Sequence, residues 1–359
     1  MLVNQKNYQS IWFEDNKTFI IDQTLLPFSF KVILLDTLDK FIDAIVSMKV
    51  RGAPLIGVTA FHAIANEMSL DSSDKSLKAT VKKLSATRPT AYNLFWALKE
   101  IEDYLLQYPP TQRSEEAYRF VKEKEIEDIK CNQLIGKYCG EFLIDYHKLK
   151  KEKIFNIMTH CNAGWLATVD YGTALAPIFY LSELGYSLHI FVSETRPRNQ
   201  GAFLTAWELD NMNIDHSIIS DNASGHLISN GETDCVIVGA DRVVHSGEVF
   251  NKIGTYMKAI SCNENDTPFY VCAPTSTIDW DDKSEGKEII IENRDDFEVS
   301  NIMALDEKNQ SVSSGRIASL GSNFRNPAFD MTPRKYISKI FTEKGSADSN
   351  SKSLKVHKS

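Results

Sequence analysis

From residue 154 onward, short apolar runs alternate with helix-like segments, and few architectures tolerate that rhythm. The runs are 154–158 (IFNIM), 188–192 (LHIFV), 216–219 (HSII), 235–238 (CVIV) and 269–273 (FYVCA). Helical patterns near 165–185, 200–210 and 251–264 lie between them. Such alternation predicts a parallel sheet covered on both faces, a Rossmann-like α/β domain. Ligands of these sheets bind just beyond the carboxyl ends of the strands. Cys161 follows the first run and Asp241 the fourth, which would set a thiol and a carboxylate at one crevice.

The first 147 residues read differently. Runs 10–13 and 18–21 flank the turn-like Glu14-Asp15-Asn16-Lys17, and 30–34 adds a third strand. Leu38, Phe41, Ile42 and Ile45 share a helix face that starts near a cap at Asp36 or Thr37. Residues 54–68, 91–107 and 114–146 also read as helices, with a break at Pro109-Pro110. The expected organisation is a mostly helical domain with a small β-sheet (1–147), a Rossmann-like catalytic domain (148–344) and a disordered polar tail (345–359).

Composition narrows the function. The net charge of −8 argues against nucleic acid as a partner. No window approaches the ~18 apolar residues of a membrane span. The opening MLVNQKNYQSIWFEDNK lacks an apolar signal core, so the cytoplasm is expected. The six cysteines have no CxxC spacing and no paired histidines, so no zinc site is expected. Cys235 and Cys272 sit inside apolar runs and read as core. GxGxxG is absent, so NAD is not inferred.

Each predicted strand end is followed by hydrogen-bonding or charged residues. Cys161 lies beside the turn at Gly164. If that turn opens a helix, the helix N-terminus favours a thiolate; a buried strand-end thiol with no function is equally natural. Asp241 either caps a turn or pairs with Arg242, or, walled off from water by apolar neighbours, holds a proton for donation. Arg51-Gly52-Ala53-Pro54 places a guanidinium before a helix start, an arrangement suited to phosphate, although a solvated loop arginine fits the local sequence as well. Arg88 precedes a proline and an amphipathic helix in the same way. Asn251 and Lys252 are expected to open the helix after the Asp241 loop, Asn251 as a cap or against a sugar hydroxyl and Lys252 as a phosphate counter-charge. His160 and His226 read as structural.

Taken together, these motifs resemble the 5-methylthioribose-1-phosphate isomerases, the aldose–ketose isomerases of methionine salvage. The resemblance spans about 7 to 340 and includes YQSIW (8–12), RGAPLIG (51–57), RPTAYNL (88–94), THCNAG (159–164), SETRPRNQG (193–201), LTAWEL (204–209), GADRVV (239–244), NKIGTY (251–256), KEIIIENR (287–294) and NPAFDMTP (326–333). It implies Cys161 and Asp241 as the catalytic pair. It implies substrate binding by Arg51, Gly52, Ala53, Arg88, Gln200, Asn251 and Lys252. It also implies a homodimer, a small sugar phosphate as ligand, and neither metal nor cofactor. The wider superfamily includes regulatory subunits of a translation-initiation nucleotide exchange factor, so a non-catalytic sugar-phosphate or nucleotide binder is an alternative. Another is an isomerase of 5-deoxyribose 1-phosphate or ribose 1,5-bisphosphate. Trp165, Phe203 and Phe250 depart from the family pattern. Trp165 and Phe250 flank the catalytic motifs and are expected to wall the pocket with apolar surface.

Overall fold

The computed structural model describes residues 1–358 other than 89, 90 and 283. The chain starts with a three-stranded antiparallel sheet of Ile11–Glu14, Lys17–Ile21 and Val32–Leu35. Glu14 pairs with Lys17 across Asp15 and Asn16, both at positive φ. That makes a two-residue hairpin whose twist matches its strands.

Helices Leu38–Val46, Ala53–Leu70, Asp74–Ser85, Tyr92–Leu105 and Pro110–His147 follow. Thr37 caps the first, its hydroxyl accepting from the Lys40 N–H. Ala53–Leu70 is apolar on nearly every face because it is the central helix, packed against Asp74–Ser85, Tyr92–Leu105 and Pro110–His147. Asp74–Ser85 escapes a sequence reading, since only Leu77, Thr80 and Leu84 are buried in a lysine-rich segment. Pro110–His147 joins two hydrophobic cores. Ala117, Phe120 and Val121 sit in the helical core, while Ile135, Cys139 and Leu143 pack under the sheet.

That sheet has seven strands, in the spatial order Gly345–Ala347, Lys339–Thr342, Phe269–Cys272, Cys235–Val238, Phe155–His160, Leu188–Ser193, His216–Ile219. All neighbours run parallel except the outermost pair, Lys339–Thr342 with Gly345–Ala347. The five apolar runs read from sequence are its middle and one edge. Phe155–His160 comes first in the chain yet lies between Cys235–Val238 and Leu188–Ser193. The winding therefore reverses between the first two, and a doubly wound sheet opens its crevice at that point. Cys161 and Asp241 follow these two strands.

The tail is not disordered. Gly345–Ala347 forms the antiparallel edge strand, Ser349 Oγ donates to the Gly247 carbonyl, and Leu354 is fully buried. A short strand of small residues carries no apolar alternation, which is why the segment reads as polar coil. Beside the main sheet lies a smaller one in the order Ile278–Asp279, Arg242–Val244, Val249–Lys252, Phe329–Thr332. Asn251 and Lys252 therefore end a strand rather than open a helix. The helix begins at Thr255, after Gly254 at φ +99°, and the Asp330 carboxylate caps the N–H groups of Gly254 and Tyr256. A mostly exposed hairpin pairs Asn301–Asp306 with Ser311–Arg316.

Candidate active site

One cavity lies over the crevice. Arg51, Gly52, Ala53, Arg88, Cys161, Gln200, Asp241, Asn251 and Lys252 all line it. In the motif around Arg88, Pro89 and Thr90 lie outside the described residues.

Cys161 ends the first strand in a left-handed conformation, φ +66°. Such a backbone costs roughly 1–2 kcal/mol outside glycine. Two hydroxyls hold it: the Cys161 N–H donates to Thr195 Oγ1 at 2.8 Å, and Thr205 Oγ1 donates to the Cys161 carbonyl at 2.7 Å. Thr195 is fixed in turn by Asp221, which accepts the N–H groups of Thr195 and Arg196. No α-helix opens at the Gly164 turn; a single 3-10 turn, Trp165–Ala167, follows it instead. The expected α-helix dipole at Cys161 is therefore absent. Arg51 and Lys252 line the same cavity as Cys161.

Gly52 places Arg51. Its φ is +91°, and a Cβ there would come within 2.5 Å of the Ala167 carbonyl oxygen. Arg51 donates through both terminal nitrogens to the Asn162 carbonyl, at 2.9 and 3.0 Å. The Asn162 amide donates to Glu208 Oε1 at 2.8 Å. Glu208 also accepts from the N–H groups of Trp165 and Leu166, and burial pushes it up to about 7. This buried carboxylate thus braces the Cys161 loop from below. Only its LTAWEL motif marked it in the sequence.

Asp241 does not sit in an apolar pocket. Burial raises its carboxyl, while Lys252, Arg88, Arg294 and Arg51 pull it the other way; burial prevails. Lys252 Nζ donates to the Ala328 carbonyl at 3.0 Å and stands 4.7 Å from the centre of the Phe329 ring. Burial, with Arg294 beside it, lowers Lys252 to about 8. Arg294 went unassigned in the sequence although it ends KEIIIENR. It lies over the same Phe329 ring and shares Glu292 with Arg88. Four cations thus surround the cavity, and a phosphate dianion suits them.

Trp165 and Phe250 do not line this cavity. Trp165 is 0% exposed and packs 6.0 Å from Trp207 within the core. Phe250 turns its ring toward Gly286. Met48, Ala53, Pro54 and Phe329 supply the apolar wall instead. His160 is satisfied through Nε2 at the Ile253 carbonyl, 2.8 Å away, and burial holds it near 3 and neutral. His226 contacts Asn230 on the surface.

A doubly wound sheet with a thiol, a carboxyl and four cations at its switch point defines an α/β protein with a cation-lined ligand crevice. The chain belongs to the initiation factor 2 subunit family, whose model matches residues 49–349. It is 47% identical to the methylthioribose-1-phosphate isomerase of Brucella anthropi over 99% of this chain and 98% of that protein. The protein of that name from Sinorhizobium medicae is also 47% identical, with the same coverage. Among solved structures, 5-methylthioribose 1-phosphate isomerase from Pyrococcus horikoshii OT3 superposes with a TM-score of 0.83 at 35% identity, covering 98% of this chain and 96% of that one. The structure titled translation initiation factor eIF-2B, subunit delta, from A. fulgidus gives 0.78 at 35% identity, covering 95% and 96%.

Proposed function

We propose that this protein is an aldose–ketose isomerase that converts 5-methylthioribose 1-phosphate to 5-methylthioribulose 1-phosphate, a step of methionine salvage. The observation that carries the reading is the convergence of Cys161, Asp241 and the four cations on one cavity at the switch point.

The substrate's anomeric carbon carries the phosphate, so the ring cannot open as a free sugar's does. Asp241, held protonated, donates to the ring oxygen as the C1–O bond breaks. Cys161, as thiolate, takes a proton from the C2 centre. In an enediol route that proton leaves C2 itself; C1 then gains a proton from the Cys161 thiol or solvent, while the C2 hydroxyl gives its proton to the Asp241 carboxylate left after ring opening. In a hydride route the proton taken by Cys161 leaves the C2 hydroxyl while the C2 hydrogen moves with its electrons to C1. Either way C2 ends as the ketone, and oxidation at C2 balances reduction at C1 within one molecule. No outside redox partner is required. Arg51, Arg88, Lys252 and Arg294 hold the phosphate, and fixing its orientation matters more here than raw affinity.

Incubating the purified protein with methylthioribose 1-phosphate tests the reading: the ketose should accumulate, and its absence would sink the proposal. In deuterated solvent, label at product C1 marks the enediol, whereas full retention of a C2 label marks hydride transfer. A homodimer, as the resemblance implies, is the expected assembly. The cytoplasm is the expected compartment, where six free thiols stay reduced.

A further inference from the structure

A second chamber opens off the catalytic cavity through Met48, Arg51 and Gln200, which line both. The catalytic cavity has about 60 Å³ of free volume. At ~10–15 Å³ for each water that is about five small occupants, too few for a phosphorylated pentose and its side arm. The chamber offers about 220 Å³. Its body is apolar, walled by Leu26, Phe203, Leu204, Ile302 and Met303. Phe203 is braced edge-on by Phe28, with ring centroids 5.5 Å apart.

The chamber also has polar walls. Gln23 Oε1, Asn199 Oδ1 and Gln200 Oε1 are buried acceptors without a hydrogen-bond partner among the described residues. All three residues line the chamber and are more than nine-tenths buried. The Gln23 amide is oriented by its donation to the Leu166 carbonyl at 2.7 Å, so its oxygen is assigned. Unpaired buried acceptors are costly, and a ligand hydroxyl relieves them. Arg198 reaches this chamber but is held by Glu298 at 2.9 Å. A phosphate placed there would meet that carboxylate.

We infer that the chamber receives the C5 arm of the substrate, sugar hydroxyls against the amide oxygens and thioether against Phe203 and Met303. These two residues set a preference for an apolar C5 group over a hydroxyl or a phosphate. The inference rests on the isomerase reading above.

The test compares kcat/KM for methylthioribose 1-phosphate and ribose 1-phosphate in the unaltered protein and in Phe203→Ala, Phe203→Arg and Met303→Ala. The unaltered protein should favour the methylthio sugar by about ten- to two-hundredfold, the range a small apolar difference supplies. Loss of most of that preference at either residue, with ribose 1-phosphate still turned over, supports the chamber. Met303 is on the exposed hairpin, so its variant should fold even if a Phe203 variant does not. An unchanged preference in every folded variant overturns the chamber and leaves the isomerase standing. No turnover of methylthioribose 1-phosphate by the unaltered protein overturns both.

Discussion

The hydroxyl of Thr195 accepts the backbone N–H of Cys161 at 2.8 Å, so one left-handed residue holds another: φ is +68° at Thr195 and +66° at Cys161. The thiol's position is therefore set by a chain of supports. Asp221 fixes Thr195, and Thr195 fixes the Cys161 backbone.

Thr195→Ala breaks that chain and leaves a partly buried N–H without its acceptor. The expected cost is about 1–3 kcal/mol of folding free energy, read from the urea midpoint. Turnover should fall more than stability alone accounts for, because the thiol is free to move. A variant with unaltered kcat would show that Cys161 is held without Thr195.

Cys161→Ser and Asp241→Asn should each fold and each lose at least about a hundredfold in kcat, the usual contribution of a positioned acid or base. Circular dichroism checks the fold and steady-state kinetics the loss. A near-normal rate in either would remove that residue from the chemistry.

Lys252 carries its charge below about pH 8 and loses it as pH rises through that value. The grip on phosphate weakens with it, so kcat/KM should fall on the alkaline side of pH 8. Asp241 acts in its protonated form, so loss of its proton also falls on the alkaline limb. Lys252→Arg separates the two, since arginine stays charged. A limb that moves upward belongs to Lys252, whereas one that stays put does not. For stability the sign is opposite. Folded Lys252 binds fewer protons than the unfolded chain between about 8 and 10.5, so its contribution improves as pH rises through that window.

Deleting 345–359 should lower the unfolding free energy by at least about 3 kcal/mol, since Ala347 and Leu354 leave the core and the edge strand is lost. Thermal unfolding of the truncated protein measures it. An unchanged Tm would mean the edge strand contributes nothing.

The parallel strands were legible because a strand buried on both faces must be a continuous apolar run. Cys235–Val238, buried at every position, begins and ends where its side-chain pattern says. The hairpin at Asp15-Asn16 was legible for a different reason: few residues tolerate positive φ, and asparagine and aspartate are among them. The smaller sheet was hidden because its strands are short and pair across long sequence gaps, Lys252 with Phe329 for instance. No local pattern reports such pairing. Arg294 and Glu208 were hidden likewise. Each acts through partners far away in the chain, Phe329 and Asn162. The apolar wall was misplaced for a related reason: closeness in sequence to a catalytic motif does not fix which way a ring points, and Trp165 points into the core.

Helix Pro110–His147 has a mechanical consequence. Its 38 residues make a rod of about 57 Å, with one end embedded beneath the helical cluster and the other beneath the sheet. A hinge between those two bodies would have to bend this shared helix. Calorimetry should accordingly record one endotherm for the whole chain, and two separated peaks would mean the spine does not bind its halves together.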